Sequence, residues 1–321
     1  MHFTRDIVTY EVDMINIENV SKFIIRDISL HIPKGEVTGL IGATGSGKTT
    51  LVRLASGLLL PDCGRVSVMG HEPVSFKGKF GTRLSVLISG VKSLSDEETA
   101  VSALDGLRII YGIPKNEYDK RYRKLAERFD FSSYENERLK GLSVGQRRRV
   151  ELAGAFLTEP ELMILDEPEV GLDEFGKQAL EEIIKEKTGE GMTLLITSHN
   201  MAEISNICTR LAVLSKGDLI FYGSEDALRS RYQPINTLTV SFDGNIPNID
   251  DLPIVRYRLE GNTASYEYNS MYITASEVLD VIMKQTRITD INIKKPDLEQ
   301  IIINMRKSEG KDEFYRSRKH Q

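Results

Sequence analysis

The sequence predicts an α/β fold built on a parallel sheet, followed by a smaller α+β domain. Between residues 13 and 232, strand-length apolar runs alternate with segments of helical spacing. Strand, helix, strand in that order implies a parallel sheet with right-handed crossovers. After RYQPINT at 231–237, three stretches with strand-like alternation precede a return to helical spacing, which fits a β-rich sheet with two helices. At 321 residues, 40% hydrophobic and 28% charged, the chain has the composition of a globular protein with a full core.

Taken in order, VTGLIG (37–42) reads as a buried strand and GKTTLVRLASGLL as the helix that follows it. ELMILD (161–166) and MTLLITS (192–198) are further apolar runs of strand length, with EFGKQALEEIIKEK as the helix between them. Beyond the linker, TLTVSF, VRYRLEG and TASYEYN predict strands, EVLDVIMKQ a helix, ITDINIKK a strand and DLEQIIINMRK a last helix. The closing SEGKDEFYRSRKHQ is polar and charged and is expected to fray. The organisation expected is therefore a first domain at 13–232, a second at 237–307 and a charged tail at 308–321.

Bulk properties exclude some classes. A net charge of -5 supplies no overall drive toward nucleic acid. Two cysteines, Cys63 and Cys208, are too few for a disulfide framework and fit a reducing compartment. Each is expected to fill a small buried space. No stretch approaches the roughly 20 apolar residues that span a bilayer, and MHFTRDIVTYEVD lacks the apolar run of a signal peptide. A membrane role is expected to come through a separate partner.

The most specific motif is Gly42-x-x-x-x-Gly47-Lys48-Thr49 within IGATGSGKTT, placed between an apolar strand and a helix. A chance match in a chain this long is on the order of one per cent. Glycines let backbone N–H groups curl around phosphate oxygens, Lys48 adds a point charge and Thr49 a hydroxyl for Mg²⁺. Downstream, LMILDEP ends a strand with Asp166 and Glu167 adjacent, where open α/β sheets bind ligands. Asp166 suits Mg²⁺, and Glu167 suits the polarising of an attacking water. His199, in TSHN after the next strand, can reach a γ-phosphate. His2, His31, His71 and His320 lie in no comparable setting and are expected at the surface.

GLSVGQRRRVELAG, from Gly141, is harder to read. Its three arginines allow a nucleic-acid patch, a solvated helix face or a helix start that holds an anion. Consecutive helical residues point about 100° apart, so Arg147, Arg148 and Arg149 cannot form one stripe. They are expected to solvate the helix or to pair with acids such as Glu151.

Together, GATGSGKTT, LSVGQ, LMILDEP, GLD and SH occur in the order, and at about the spacing, found in the ATPase subunits of ABC transporters, which residues 13–232 resemble. The resemblance implies an α/β P-loop NTPase fold: a RecA-like core, an antiparallel β subdomain and a helical subdomain. It implies ATP and Mg²⁺ as cofactors, with Gly42, Ala43, Thr44, Gly45, Ser46, Gly47, Lys48, Thr49 and Thr50 cradling the phosphates. Thr49 and Asp166 would hold the metal, and Glu167, His199 and Lys48 would carry the chemistry. Ser143, Gly145 and Gln146 would grip ATP bound to another subunit, with Asp173 of the GLD turn across the interface. The partners implied are an integral membrane permease and a second ATPase subunit, most simply an identical one, with no nucleic acid. The location implied is the cytoplasmic face of the membrane.

Three positions depart from the family. Val144 replaces a glycine, which is tolerable if its side chain points away from the nucleotide. No glutamine lies between Gly70 and Asp130, where the family senses the γ-phosphate and contacts the permease, and Ser89 is the candidate equivalent. The segment that supplies an adenine-stacking aromatic is short and leaves Phe23, with core packing as the other reading of that ring. INIKKPDLEQIIINM also resembles the tail of accessory domains on ABC-2 type exporter ATPases, which favours export. A soluble ABC-type ATPase acting on DNA or ribosomes, and an importer ATPase, stay open as alternatives.

Overall fold

The computed structural model describes residues 13–73, 78–199, 204, 206–232, 235–294 and 301. They fall into two compact units, one ending at Tyr222 and the other beginning at Gly223. The first unit begins with β1 (Asp13–Lys22), β2 (Ile25–Pro33), β3 (Val37–Gly42), α1 (Lys48–Ala55), β4 (Cys63–Val68) and β5 (Leu84–Leu87). It continues with α2 (Ala100–Tyr111), α3 (Lys115–Arg128), α4 (Val144–Leu157), β6 (Leu162–Asp166), α5 (Glu174–Gly189), β7 (Thr193–Ser198), β8 (Arg210–Ser215) and β9 (Asp218–Gly223).

Every residue of β3, β6 and β7 is buried, so these strands show no alternation, as expected where both sheet faces are covered. The order is β5-β6-β7-β3-β8-β9, and the pairs from β5 through β8 are parallel. Ile41 lies opposite Ser198, and Asp166 opposite Thr197. The carboxyl ends of β3, β7 and β6 therefore emerge side by side, and the phosphate loop, His199 and the acidic pair all leave from this one edge. A second sheet, β2-β1-β4, is antiparallel. It shares a core with α1 and the parallel sheet through Ile15, Ile17, Leu30, Leu51, Ile164 and Leu195. Helix α1 stops at Ala55, short of the expected Leu59, because Gly57 turns left-handed (φ 76°) against the Pro73 carbonyl.

The second unit contains α6 (Glu225–Tyr232), β10 (Ile235–Asp243), β11 (Ile254–Glu260), β12 (Thr263–Asn269), α7 (Ala275–Met283) and β13 (Arg287–Lys294). The sheet order is β11-β12-β10-β13, antiparallel throughout. One face is buried, around Leu238, Val240, Tyr266, Tyr268, Val278 and Ile282. The division after Tyr222 falls short of the expected end at 232, and α6 sorts with the second unit. Residues 235–237 of the expected linker already belong to β10, with Ile235 opposite Asn269. Of the expected last helix, Ile301 is helical and buried. The rest of it, the tail at 308–321, His2 and His320 lie outside the described residues.

One smaller expectation fails. Cys63 is exposed and fills no core space, whereas Cys208 is half-buried, its Sγ 2.7 Å from where a Cβ on Gly39 would lie, with a thiol whose pKa burial pushes upward. Among the described residues, no helix is long and apolar enough to cross a membrane.

Candidate active site

Gly42 closes β3, and a Cβ there would lie 2.3 Å from Ser46 Oγ and 2.7 Å from the Leu214 carbonyl, so only glycine fits. Gly45 and Gly47 hold φ of 78° and 112°, which side chains disfavour. Ser46 N–H donates to the Ala43 carbonyl at 3.0 Å, and the buried Ser46 hydroxyl has no protein partner. Gly47 caps α1 without a side chain, which leaves first-turn N–H groups open to an anion. Lys48 Nζ donates to the Gly42 carbonyl at 2.9 Å and lies 3.7 Å from Glu167 Oε1, with only 4% of the side chain exposed.

Asp166 is fully buried. Its Oδ2 accepts from Thr49 Oγ1 at 3.2 Å and its Oδ1 from Thr197 Oγ1 at 2.6 Å. Thr197 was not foreseen, since a threonine ending a buried strand carries no signal of its own. The same hydroxyl accepts the Glu167 N–H at 2.9 Å. Glu167 sits at φ 46°, a left-handed conformation that costs a non-glycine residue about 1–3 kcal/mol and must be held by its surroundings. Its Oε1 stands 3.7 Å from Lys48 Nζ and 3.8 Å from His199 Nδ1. The three groups expected to carry chemistry thus meet, and a water at the carboxylate would have donors on both sides.

A second locus is built on α4. Ser143 is its N-cap: the Ser143 hydroxyl accepts Gln146 N–H at 3.2 Å, and Gln146 Oε1 accepts Ser143 N–H at 2.9 Å. This capping box fixes the helix start while the serine keeps its own proton to donate. Ser143, Gly145, Gln146, Arg149, Gly171 and Asp173 line an open hollow of about 470 Å³ together with Asp130, Ser133 and Tyr134. A Cβ on Gly145 would stand 2.5 Å from the Gly171 carbonyl, so the loop after β6 lies directly on the helix start. Val144 is 74% exposed, and one of its methyls lies against Gly171.

The arginines do not solvate the helix. Arg148 and Arg149 are buried, and each of the three makes a separate tether. Arg147 pairs with Glu151 at 3.0 Å, with Asp96 at 2.6 Å, and donates to the Leu94 carbonyl at 2.6 Å. Arg148 donates to the carbonyls of Asp166, Glu167 and Pro168 at 3.3, 3.0 and 3.1 Å. Burial pulls its pKa down, against the pull of Glu151. Arg149 grips Asp173 with two bonds of 2.6 and 2.7 Å. Asp173 also caps α5 by accepting Gly176 N–H at 2.9 Å. The guanidinium, then this N–H, hold the Asp173 pKa below the usual carboxylate value.

Phe23 is no core residue. It occupies the β1–β2 turn at φ 51°, 76% exposed, with Lys22 Nζ 5.2 Å from its ring centroid. That turn lies against the phosphate loop: a Cβ on Gly47 would stand 2.5 Å from Ile25. Ser89 is half-buried just past β5, and the register of Leu87 opposite Leu165 carries it to the sheet edge where Asp166 and Glu167 sit. His31 and His71 are exposed, as expected.

A sequence profile of the ABC transporter family matches residues 25–170. The ABC transporter ATP-binding protein NatA of Bacillus subtilis (strain 168) is 34% identical over 219 residues, 68% of this chain and 89% of that one. The chain belongs to the ABC transporter family. This ABC ATPase is also 25% identical over 311 residues to the linearmycin resistance ATP-binding protein LnrL of the same organism. That match spans 91% of this chain and 98% of the relative, so it runs through the second unit. A solved ATP-binding subunit of an ABC transporter superposes with a TM-score of 0.64 at 26% identity, over 68% of this chain and 93% of the other. The protein is an ATP-binding, ATP-hydrolysing transporter subunit.

Proposed function

We propose that this ABC ATPase powers export through a separate membrane permease at the cytoplasmic face of the membrane, two copies closing on ATP and reopening after hydrolysis. The observation that carries the paired arrangement is that the molecule has two incomplete loci. The hollow around Ser143 and Asp173 contains no residue of the phosphate loop. A triphosphate held by residues 42–50 of one copy is completed by Ser143, Gly145 and Gln146 of the other, with Asp173 lying across the interface. Because one chain carries both complementary halves, an identical copy is the simplest second subunit.

Phe23, exposed beside the loop, offers a face for adenine. Thr49 Oγ1 and Asp166 Oδ2 are hard oxygen donors 3.2 Å apart, which fits Mg²⁺, an ion that takes one or two protein oxygens plus substrate phosphates. The ion would neutralise charge on the β- and γ-phosphates. Glu167 orients the attacking water and takes its proton, while Lys48 and His199 stabilise charge on the transferred phosphoryl group. Closure passes to the permease through residues 89–98, which Arg147 ties to α4 at Leu94 and Asp96. Export is supported by the second unit and by LnrL, a resistance protein matched along nearly its whole length.

Glu167→Gln decides the matter. The variant is expected to bind ATP, to lose nearly all hydrolysis and to shift from monomer to dimer in light scattering when MgATP is added. Turnover at the wild-type rate, or a nucleotide-saturated protein that stays monomeric, overturns the reading.

A further inference from the structure

We infer that Arg148 is a positioning residue for hydrolysis: it holds the backbone of Glu167 in its strained conformation and makes α4 the support of this chain's own base. The inference rests on the reading of Glu167 given above. Three consecutive carbonyls, of Asp166, Glu167 and Pro168, converge on one buried guanidinium at 3.0–3.3 Å. A planar fork of five N–H donors serves several acceptors at once in a fixed geometry, where an ammonium is a compact point charge. The residue in the middle of that trio is Glu167, with φ at 46°. Its N–H is held by Thr197 on the other side. The peptide groups flanking Glu167 are thus bonded from β7 and from α4, and the direction of its carboxylate toward Lys48 and His199 follows from that frame.

The helix that supplies the fork is the one whose first turn carries Ser143, Gly145 and Gln146. One rigid element therefore carries both the surface offered to a neighbouring copy's nucleotide and the brace of the base in its own site. Loss of the brace leaves the phosphate loop intact, because among the described residues the Arg148 guanidinium bonds to the carbonyls after β6 and to Glu151, not to residues 42–49. It frees Glu167 to leave the left-handed region. Arg148 therefore acts on the chemical step and not on nucleotide capture.

The test uses the full-length chain in steady-state ATPase assays, with Arg148→Met, Arg148→Lys, Glu167→Gln and the double variant Arg148→Met/Glu167→Gln. Arg148→Met is expected to lower kcat at least about tenfold while KM for ATP moves by less than about threefold. Arg148→Lys, which keeps the charge but not the fork, falls between Arg148→Met and wild type. In the Glu167→Gln background the same arginine change lowers the residual rate by less than about twofold, because the group it positions is already gone. A kcat of Arg148→Met within about twofold of wild type overturns the proposal, as does an equal loss in both backgrounds. If Arg148→Met does not fold, Arg148→Lys decides alone: a kcat loss of about fivefold or more at unchanged KM supports the role, and less than about twofold overturns it. A dead Glu167→Gln beside an unaffected Arg148 variant removes only this inference. A fully active Glu167→Gln removes the assignment of the base, and this inference with it.

Discussion

Position 145 shows how narrowly a single residue is specified here. A methyl added to Gly145 would stand 2.5 Å from the Gly171 carbonyl, a backbone atom with little freedom to retreat. Gly145→Ala is therefore expected to push the loop carrying Asp173 away from α4, at about 1–3 kcal/mol of overpacking. Urea denaturation should show the loss, and ATP turnover should fall further than stability does, since Asp173 moves with the loop. Undiminished stability would mean the loop yields without strain. Most of the residues proposed for the site were legible individually, because a glycine spacing or an acidic pair at a strand end itself suggests the chemistry. Thr197 and Arg148 were not. A threonine ending a strand and an arginine on a helix have many uses, and only their bonds to Asp166 and Glu167 select one.

Between elements, the joint of α3 with α5 is electrostatic. Glu186 on α5 meets Lys124 and Arg128 of α3 at 2.5 and 2.7 Å. The bonds from Lys124 and then Arg128 hold its pKa at about 2, below the usual 4.5. A carboxylate with a depressed folded pKa adds stability that is complete above its ordinary value and is lost as pH falls through the folded one. Its contribution is present above about pH 4.5 and disappears toward pH 2. Glu186→Gln should lower the urea midpoint at neutral pH and flatten the acid limb between these values; parallel limbs for the two proteins would exclude the coupling. Such ties cannot be read from helical spacing, which tells which face a residue occupies and not which helix will oppose it. The arginines of α4 make the same point. The expectation that they point in different directions holds, and pairing with Glu151 holds for Arg147 and Arg148. What each direction meets was settled by β6, α5 and the segment at 94–96.

At the scale of the molecule, the groups proposed to bind nucleotide all belong to the first unit, while the second has its own core around Tyr266 and Val278. A ligand that binds one native unit stabilises that unit by mass action, by about 2.7 kcal/mol at roughly a hundredfold excess over Kd. Scanning calorimetry is expected to resolve a transition that MgATP raises and another that it leaves in place. Tyr266→Ala, which empties a fully buried aromatic position, should lower only the second, by about 3–5 kcal/mol. If both transitions move together under nucleotide, the two units melt as one cooperative body.

The amino-acid sequence alone determined the α/β class, the parallel core and the existence of a second β-rich unit, and it pointed to the phosphate-loop, acidic and signature residues proposed for the site. These are local properties: periodicity, glycine placement and charge at strand ends act over a few residues and survive any packing arrangement. Only the tertiary structure decided that α6 sorts with the second unit, that Phe23 is exposed beside the phosphate loop, and that the three arginines hold three separate segments. Those outcomes depend on which surfaces exclude water together. A guanidinium withdrawn from solvent finds its partners among whatever carbonyls and carboxylates the fold delivers to it, and for the half-buried Arg147 they come from as far as 53 residues away along the chain.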